Sequence, residues 1–411
     1  MFRLLDNTRI SAYAMMYMLL LVICAGGATV FARNLGNPLT FSNFVVIVCT
    51  IYFAYIKGVR VNKSFIVVVL VFTLYALITA VNNSRLSLMW MAQWYIWLSI
   101  AYVICKVYLF RLFVVYETAV YFLCVISLVF WFGQLLNPKL IENLVEITSL
   151  SSPYATDCNV KVNNFLFTVN RRADVLNEYT FVIRNAGFAW EPGAFASFIC
   201  LGLFCNLMRT NFRIVNNRSL YVLLISLLST QSTTGFVIFI FLLGAHMIMN
   251  GKYSYVIWIL PLIIGLFCLP FVRDKVLNEM QLTSNFDIRN LGDGTYSLGR
   301  MASFKLYWME FLRHPILGLG GYAGGTELQA RGYDNVALIS GIGQIFAMYG
   351  IVVSCLFFTC LYRTSILLEK IFSRNGLLVF IPILGMMFSY ALWVHPVYIS
   401  FWLFSVLIHR D

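Results

Sequence analysis

The sequence predicts an all-α protein that crosses a membrane many times, and three observations support this. Of 411 residues, 61% are hydrophobic and 11% charged, with a mean hydropathy of +0.82. The apolar residues form runs of near-membrane length, for which about 20 residues are needed. The alternation typical of transmembrane β-strands is absent. We therefore interpret residues 1–411 as a single integral membrane domain.

Twelve apolar runs define the predicted spans, and the first is too long to be a signal-peptide core, so we expect it to be retained. Two long loops separate the runs, at 137–191 and 272–335. The predicted spans are 10–31, 39–56, 64–81, 86–105, 112–136, 192–208, 219–231, 234–250, 254–271, 336–361, 377–394 and 396–408.

Basic residues in the short connections predict the orientation. They concentrate on one side, as at Lys57, Arg60 and Lys63, whereas the short connections of the other side carry only Arg33 and Arg85. The positive-inside rule then places both termini in the cytoplasm and both long loops outside it. The net charge of +12 is explained by basic residues placed according to this topology, so it does not indicate a nucleic-acid partner.

Cysteine and histidine usage indicates no disulfide framework and no metal site. Nine of the ten cysteines lie in apolar runs, where they act as small hydrophobic residues. Cys158, in a long loop, has no cysteine to pair with there. The four histidines are scattered without zinc-type spacing.

The entry to the sixth span, residues 184–197 (RNAGFAWEPGAFAS), is unusually polar. A charge costs about 3 kcal/mol at the centre of a bilayer, so these charges need a partner or a function. Pro192 suits the first helical position, and Glu191 either caps that helix or has a catalytic or binding role. Arg184 must find an anion, either Glu191 or a ligand.

The short seventh span ends in the polar segment 232–235 (STTG). Irregular polar backbone within a membrane is tolerated where it lines a cavity or packs in protein. Ser232 to Gly235 therefore line a cavity or form a tight interfacial hairpin.

Residues 298–313 predict an amphipathic helix on the membrane surface. Arg300 projects with its apolar stripe, so it points toward lipid head groups or the protein interior, and its ordinary interpretation is a snorkelling structural arginine. The stripe comprises Phe304, Tyr307, Trp308, Phe311 and Leu312. Glu117, inside the fifth span, can snorkel, pair with a basic residue or couple to protons.

Four segments in this order resemble the O-antigen polymerases of Gram-negative inner membranes and, more distantly, the O-antigen ligases. They are RNAGFAWEPGAFASF, STTG, GRMASFKLYWMEFLRHPILGLGGY and DNVALISGIGQIFAMYGIV. Their order, the twelve spans and the two long loops match the family across almost the whole chain.

The resemblance implies glycosyl transfer at the periplasmic face of the bacterial inner membrane. Such polymerases move a glycan from undecaprenyl diphosphate onto a second undecaprenyl-diphosphate-linked repeat unit, without cofactor, nucleotide sugar or metal. Expected partners are these lipid-linked glycans, membrane lipids and a separate chain-length regulator protein.

Two departures favour polymerase over ligase. Related ligases carry a histidine before the asparagine that opens the tenth span, where this chain has Asp334 before Asn335. Ligases often have an arginine in the STTG region, where this chain has Thr233 or Thr234. The identity of the general base is therefore open.

Guanidinium groups grip phosphate oxygens bidentately and stabilise charge that develops on a leaving group. Arg184 and Arg300 are the first candidates for diphosphate binding. Further candidates are Arg289, Arg313, Arg171 and Arg172.

Removal of a proton from the attacking sugar hydroxyl requires a carboxylate or an imidazole. The candidates are Asp334, Glu191 and His314, although His314 and the glycines after it could instead form a turn. Trp190, Tyr322 and Tyr333 could stack on sugar rings or serve as interfacial aromatics.

Three other functions remain open: an O-antigen ligase, a flippase or other transporter of lipid-linked oligosaccharide, and a structural membrane protein. A transporter would place charges mid-membrane along a path open to both sides. Here the charges collect in two loops on one face, which favours an enzyme.

Overall fold

The protein is all-α in a computed structural model that describes residues 11–25, 41–83, 87–149, 162–169, 183–249, 273, 277, 296–297, 300–321, 336–337, 340–372, 377–389 and 392–407. The helices are α1 (Ala12–Cys24), α2 (Phe41–Ile56), α3 (Lys63–Asn83), α4 (Leu88–Tyr108), α5 (Leu112–Leu136), α6 (Pro138–Ile147), α7 (Pro192–Arg209), α8 (Arg218–Thr230), α9 (Thr233–Met249), α10 (Arg300–Arg313), α11 (Gly341–Phe372), α12 (Leu377–Ser389) and α13 (Pro396–Leu407).

Four helical runs among the described residues are long and apolar enough to cross a membrane: Lys63–Asn82, Leu88–Leu136, Pro192–Arg209 and Gly341–Phe372. The second run turns at a 3-10 segment, Leu109–Arg111. The predicted all-α membrane class is confirmed. Helices also lie in the other predicted spans except 254–271, which is outside the described residues, and the twelve-span topology stays a prediction.

Two elements differ from the sequence-based boundaries. The first long loop contains helix α6 and a short antiparallel hairpin, β1 (Val162–Asn163) with β2 (Thr168–Val169). The tenth predicted span begins with strand β4 (Val336–Ala337), which pairs in parallel with β3 (Tyr296–Ser297), and its helix then extends to Phe372.

Helix α7 is the centre of the bundle. Its residues from Pro192 to Met208 are all buried, and it packs against α5, α8, α9 and α12. A helix that is apolar all round is expected to be enclosed by other helices, which is the case here.

A buried ion pair joins α5 to α7 near the end of α7. Glu117 accepts hydrogen bonds from Arg209 Nε at 2.7 Å, Arg209 Nη2 at 3.0 Å and Asn206 Nδ2 at 2.6 Å. Asn206 also bonds to Asn217, the N-cap of α8. Of the roles predicted for Glu117, pairing with a basic residue is therefore confirmed.

Helix α11 is kinked at Gly350, and residues 315–321, which follow α10, hydrogen-bond to the backbone at this kink. Gly350 adopts φ +67° and ψ −174°, outside helical geometry. The Ile351 N–H donates to Pro315 O at 2.8 Å, and Leu319 N–H donates to Ala347 O at 2.9 Å. Backbone groups released by the kink are thus satisfied by segment 315–321, which locks α10 onto α11.

The packing of residues 315–321 against the α11 kink requires two glycines, Gly318 and Gly350, in contact. A Cβ on Gly318 would lie 2.5 Å from Gly350 N, and Gly318 also has a positive φ of +65°. We expect Gly318→Ala to lower the free energy of unfolding by about 2 kcal/mol, measured by thermal unfolding in detergent. Gly58→Ala is the matched control, since Gly58 has φ +59° with no atom within 4 Å of its Cβ position. Equal effects of the two substitutions would show that only backbone strain matters.

Candidate functional site

The loop before α7 is fixed to the C-terminus of α8 by Asn185, which is fully buried. The Asn185 N–H donates to Ser229 O at 2.9 Å, and its Nδ2 donates to Ser229 Oγ at 2.9 Å. Its Oδ1 accepts from Ser127 Oγ at 2.7 Å and from the Gly187 N–H at 2.9 Å. These bonds fix the position of the neighbouring Arg184.

Arg184 contacts the last carbonyl groups of α8. Its Nε donates to Thr230 O at 3.0 Å, and its Nη2 lies 3.4 Å from Gln231 O. A cation at this position complements the negative end of the helix. Burial lowers the pKa of Arg184 below its ordinary value, while Glu191 raises it and Arg300 lowers it further. The three charged groups therefore share one electrostatic environment.

Arg300, the first residue of α10, contacts the connection between α8 and α9 that follows the Arg184 contacts. Its Nη1 donates to Thr234 Oγ1 at 2.9 Å, in the first turn of α9. Its Nη2 lies 3.1 Å from the position that a Cβ on Gly193 would occupy, and Glu191 Oε1 lies 3.5 Å from that point. The Arg300 guanidinium and the Glu191 carboxylate thus both lie against the first turn of α7.

Glu191 occupies the N-cap position of α7 through its backbone, and Pro192 is the first helical residue, as predicted. Phe195 N–H donates to Glu191 O at 3.1 Å. The Glu191 side chain makes no capping hydrogen bond to the helix. Its carboxylate is instead placed beside Gly193 and the arginines, where it can accept a proton or pair with a cation.

We call Arg184, Glu191 and Arg300 the arginine cluster. It surrounds the α8–α9 break, where Gln231 is left-handed (φ 49°) and Ser232 is buried. The N-terminal turns of α7 and α9 both lie at Arg300, and helix N-termini favour anions. Among the described residues, two guanidinium groups, two helix N-termini and one carboxylate give the site a net positive charge, which suits a multiply charged phosphate.

The break has features of both predicted alternatives. It is a tight connection, because only residues 231–232 separate α8 from α9. It is also recessed, since a Cβ on Gly235 would lie 3.4 Å from Ala196 Cβ, one turn into α7. The polar segment 232–235 is therefore packed in protein. Arg300 contacts it through the Thr234 hydroxyl, and Arg184 contacts the two backbone carbonyl groups just before it, those of Thr230 and Gln231.

Two other predicted residues, Arg313 and His314, lie apart from the arginine cluster. Arg313 and His314 are exposed at the opposite end of α10 from Arg300, about 20 Å away along a 14-residue helix. Arg313 lies 3.7 Å from Glu310, and His314 begins the turn that was its alternative interpretation. Trp190 is half-buried next to Glu191. Outside the described residues lie Arg171, Arg172, Arg289, Tyr322, Tyr333 and Asp334.

Three residues at the site were not singled out from the sequence for these contacts. Asn185 has a local signal, because an asparagine two residues before a glycine often forms an Asx turn, and Gly187 has φ +53°. Gly193 and Thr234 lie in the two polar segments that the sequence marks, but nothing local identifies Arg300 as their neighbour, since it is distant in the sequence.

An apolar groove of about 220 Å³ lies between α3, α4, α11 and α13. Its lining combines aromatic and aliphatic side chains. The aromatic residues are Phe72, Tyr75, Trp94, Tyr349, Phe357, Trp393 and Trp402. The groove is suited to a hydrocarbon chain, whereas α10 packs on α11 through other residues, including Gly343 and Phe346.

No family model matches the chain, and no curated protein or solved structure is similar enough to it to establish a relationship.

Proposed function

We propose that the chain is an O-antigen polymerase of the bacterial inner membrane, a glycosyltransferase that acts at the periplasmic face. The observation that carries this proposal is the arginine cluster. Arg184 and Arg300 come from different long loops and meet at one helix break beside Glu191. Phosphate binding explains why cations are gathered here, because guanidinium groups match phosphate oxygens and retain their charge.

In the proposed reaction, a sugar hydroxyl of one lipid-linked repeat unit attacks the anomeric carbon of the donor glycan. The new glycosidic C–O bond forms as the bond from that carbon to the diphosphate oxygen breaks, and the diphosphate leaves with the electron pair. Arg184 and Arg300 stabilise this negative charge. A carboxylate accepts the hydroxyl proton, with Glu191 the candidate within the described site and Asp334 the other acidic candidate.

The membrane setting supports a lipid-linked substrate. Holding two membrane-tethered reactants in line supplies much of the rate through proximity. The apolar groove offers a surface for a hydrocarbon chain in the same helical bundle. The family resemblance of the four sequence segments adds the polyprenyl-diphosphate donor, the periplasmic orientation and a chain-length regulator as partner.

Reconstitution of the purified protein with a lipid-linked repeat unit tests the proposal. We expect glycan polymer to form without nucleotide sugar and without a second enzyme, visible as a ladder on a gel. Transfer of preformed polymer to lipid A core would indicate the ligase instead. Movement of the substrate across vesicles without polymer would indicate a flippase.

Loss of the gene gives a second, independent readout. A strain without the polymerase should still cap its lipid core with a single repeat unit. A strain without a flippase should add none, and one without the ligase should build polymer that never reaches the core.

A further inference from the structure

Helix α6 has two apolar faces, and the described parts of the chain bury only one of them. Ile141 and Val145 are buried in a small core with Phe167 and Val169 of the β1–β2 hairpin segment. Phe130 and Trp131 of α5 pack against this core. A second set of apolar residues, spaced about one turn apart along α6, points away from this small core. This stripe comprises Leu140 (53% exposed), Leu144 (46%) and Ile147 (81%).

The exposed stripe of α6 continues the exposed apolar surface of α5. Val129, Phe132 and Leu136 are 67%, 51% and 88% exposed along the last two turns of α5, a helix within a membrane-spanning run. Only Asn137 separates α5 from α6, and it caps α6 by accepting from the Leu140 N–H at 3.1 Å. The exposed apolar residues at the end of α5 are therefore followed, after a single connecting residue, by the exposed apolar residues of α6.

Charged residues of α6 lie away from this stripe. At 100° per residue, Glu142 and Glu146 lie about 180° and about 140° from the mean direction of Leu140 and Leu144, and Lys139 lies about 120° from it. A helix with an exposed apolar face and a charged face, placed where a span ends, is typical of a helix lying in the membrane interface. An aqueous setting would instead leave a contiguous apolar patch in water.

We propose that α6 lies in the plane of the membrane, with its exposed stripe inserted among the phospholipid chains of the leaflet at the end of α5. This inference goes beyond the proposed function and does not depend on it. The partner is the phospholipid bilayer itself, at the boundary between head groups and acyl chains.

The position matters because α6 supports the loop of the arginine cluster. Asn164 Nδ2 donates to Thr148 Oγ1, just after α6, at 2.9 Å. Thr168 in turn donates through its N–H to Gly187 O at 2.7 Å and through Oγ1 to Ala189 O at 2.8 Å. The chain of contacts runs from α6 through the hairpin to the loop of Arg184 and Glu191. Insertion of α6 thus fixes the depth of that loop relative to the lipid head groups.

Photolabelling in nanodiscs tests the inference. The wild-type protein is reconstituted in phosphatidylcholine that carries a diazirine high on its acyl chain, irradiated, and mapped by mass spectrometry. We expect label on Leu140, Leu144 and Ile147, with Val129 and Phe132 as internal positive controls. Label on α5 with none on α6 would overturn the inference, whatever the outcome of the polymerisation assay.

A variant pair adds a consequence for the site. The double variant Leu140→Asp/Leu144→Asp should abolish photolabelling of α6. It should also raise the rate of amide hydrogen exchange in residues 183–191 at least threefold. Lys139→Ala, on the charged face, should change neither. Unchanged labelling of α5 verifies that the variants are folded. Unchanged exchange in residues 183–191 of the double variant would refute the proposed support of the loop by lipid.

Discussion

Replacing Arg300 with lysine should lower the rate of polymer formation at least about 100-fold, as loss of a transition-state donor does in other enzymes. The guanidinium spans the first turns of α7 and α9, with Nη1 on Thr234 and Nη2 against Gly193. A lysine ammonium keeps the charge but cannot reach both turns and grip a phosphate bidentately. The rate is measured with purified protein and a lipid-linked repeat unit.

Arg313→Lys is the matched control, because Arg313 ends the same helix and is exposed. We expect it to polymerise at the wild-type rate. An equal loss in both variants would indicate damage to α10, and a normal rate in Arg300→Lys would remove Arg300 from the diphosphate site. Arg184 is a less clean target, since its bonds to Thr230 and Gln231 also cap α8.

Replacing Glu117 with alanine should lower the free energy of unfolding by about 3–5 kcal/mol, the usual result of breaking a buried ion pair from one side. The substitution leaves the Arg209 guanidinium and the Asn206 amide in a bundle without their shared carboxylate. The measurement is denaturant or thermal unfolding of the purified protein in detergent.

The double variant Glu117→Leu with Arg209→Leu provides the control. Because it removes both charges, it should recover most of the stability that the single variant loses. If the single and double variants were equally unstable, lost packing would explain the effect, and the ion pair would contribute little.

Two features could be predicted from the sequence: the positions of most apolar helices, and a shared location for the Arg184 and Arg300 guanidinium groups. Apolar runs of span length have few alternatives to a helix in lipid. Charged residues at the edges of such runs need partners. A single cavity lined by Arg184, Arg300 and the STTG segment would provide them. The structure places both guanidinium groups on residues 230–234.

Other features depend on contacts between distant segments. The sequence predicts a loop where α6 lies, because the two apolar faces and three charges of this helix give no long apolar run. The kink at Gly350 depends on segment 315–321, which precedes it by about 30 residues. The sequence allowed Glu117 a basic partner without identifying Arg209, since several lysines and arginines lie at the same end of the bundle. In each case tertiary packing determines the local structure.

Binding of undecaprenyl diphosphate to the protein in nanodiscs, followed by native mass spectrometry, tests the arginine cluster without requiring turnover. We expect Arg300→Lys and Arg184→Lys to weaken binding at least about tenfold, or about 1.4 kcal/mol, and Arg313→Lys to bind as wild type. Undecaprenol, which lacks the phosphates, should bind all four proteins alike. Equal affinity of wild type and both cluster variants for the diphosphate would show that these arginines do not hold the leaving group.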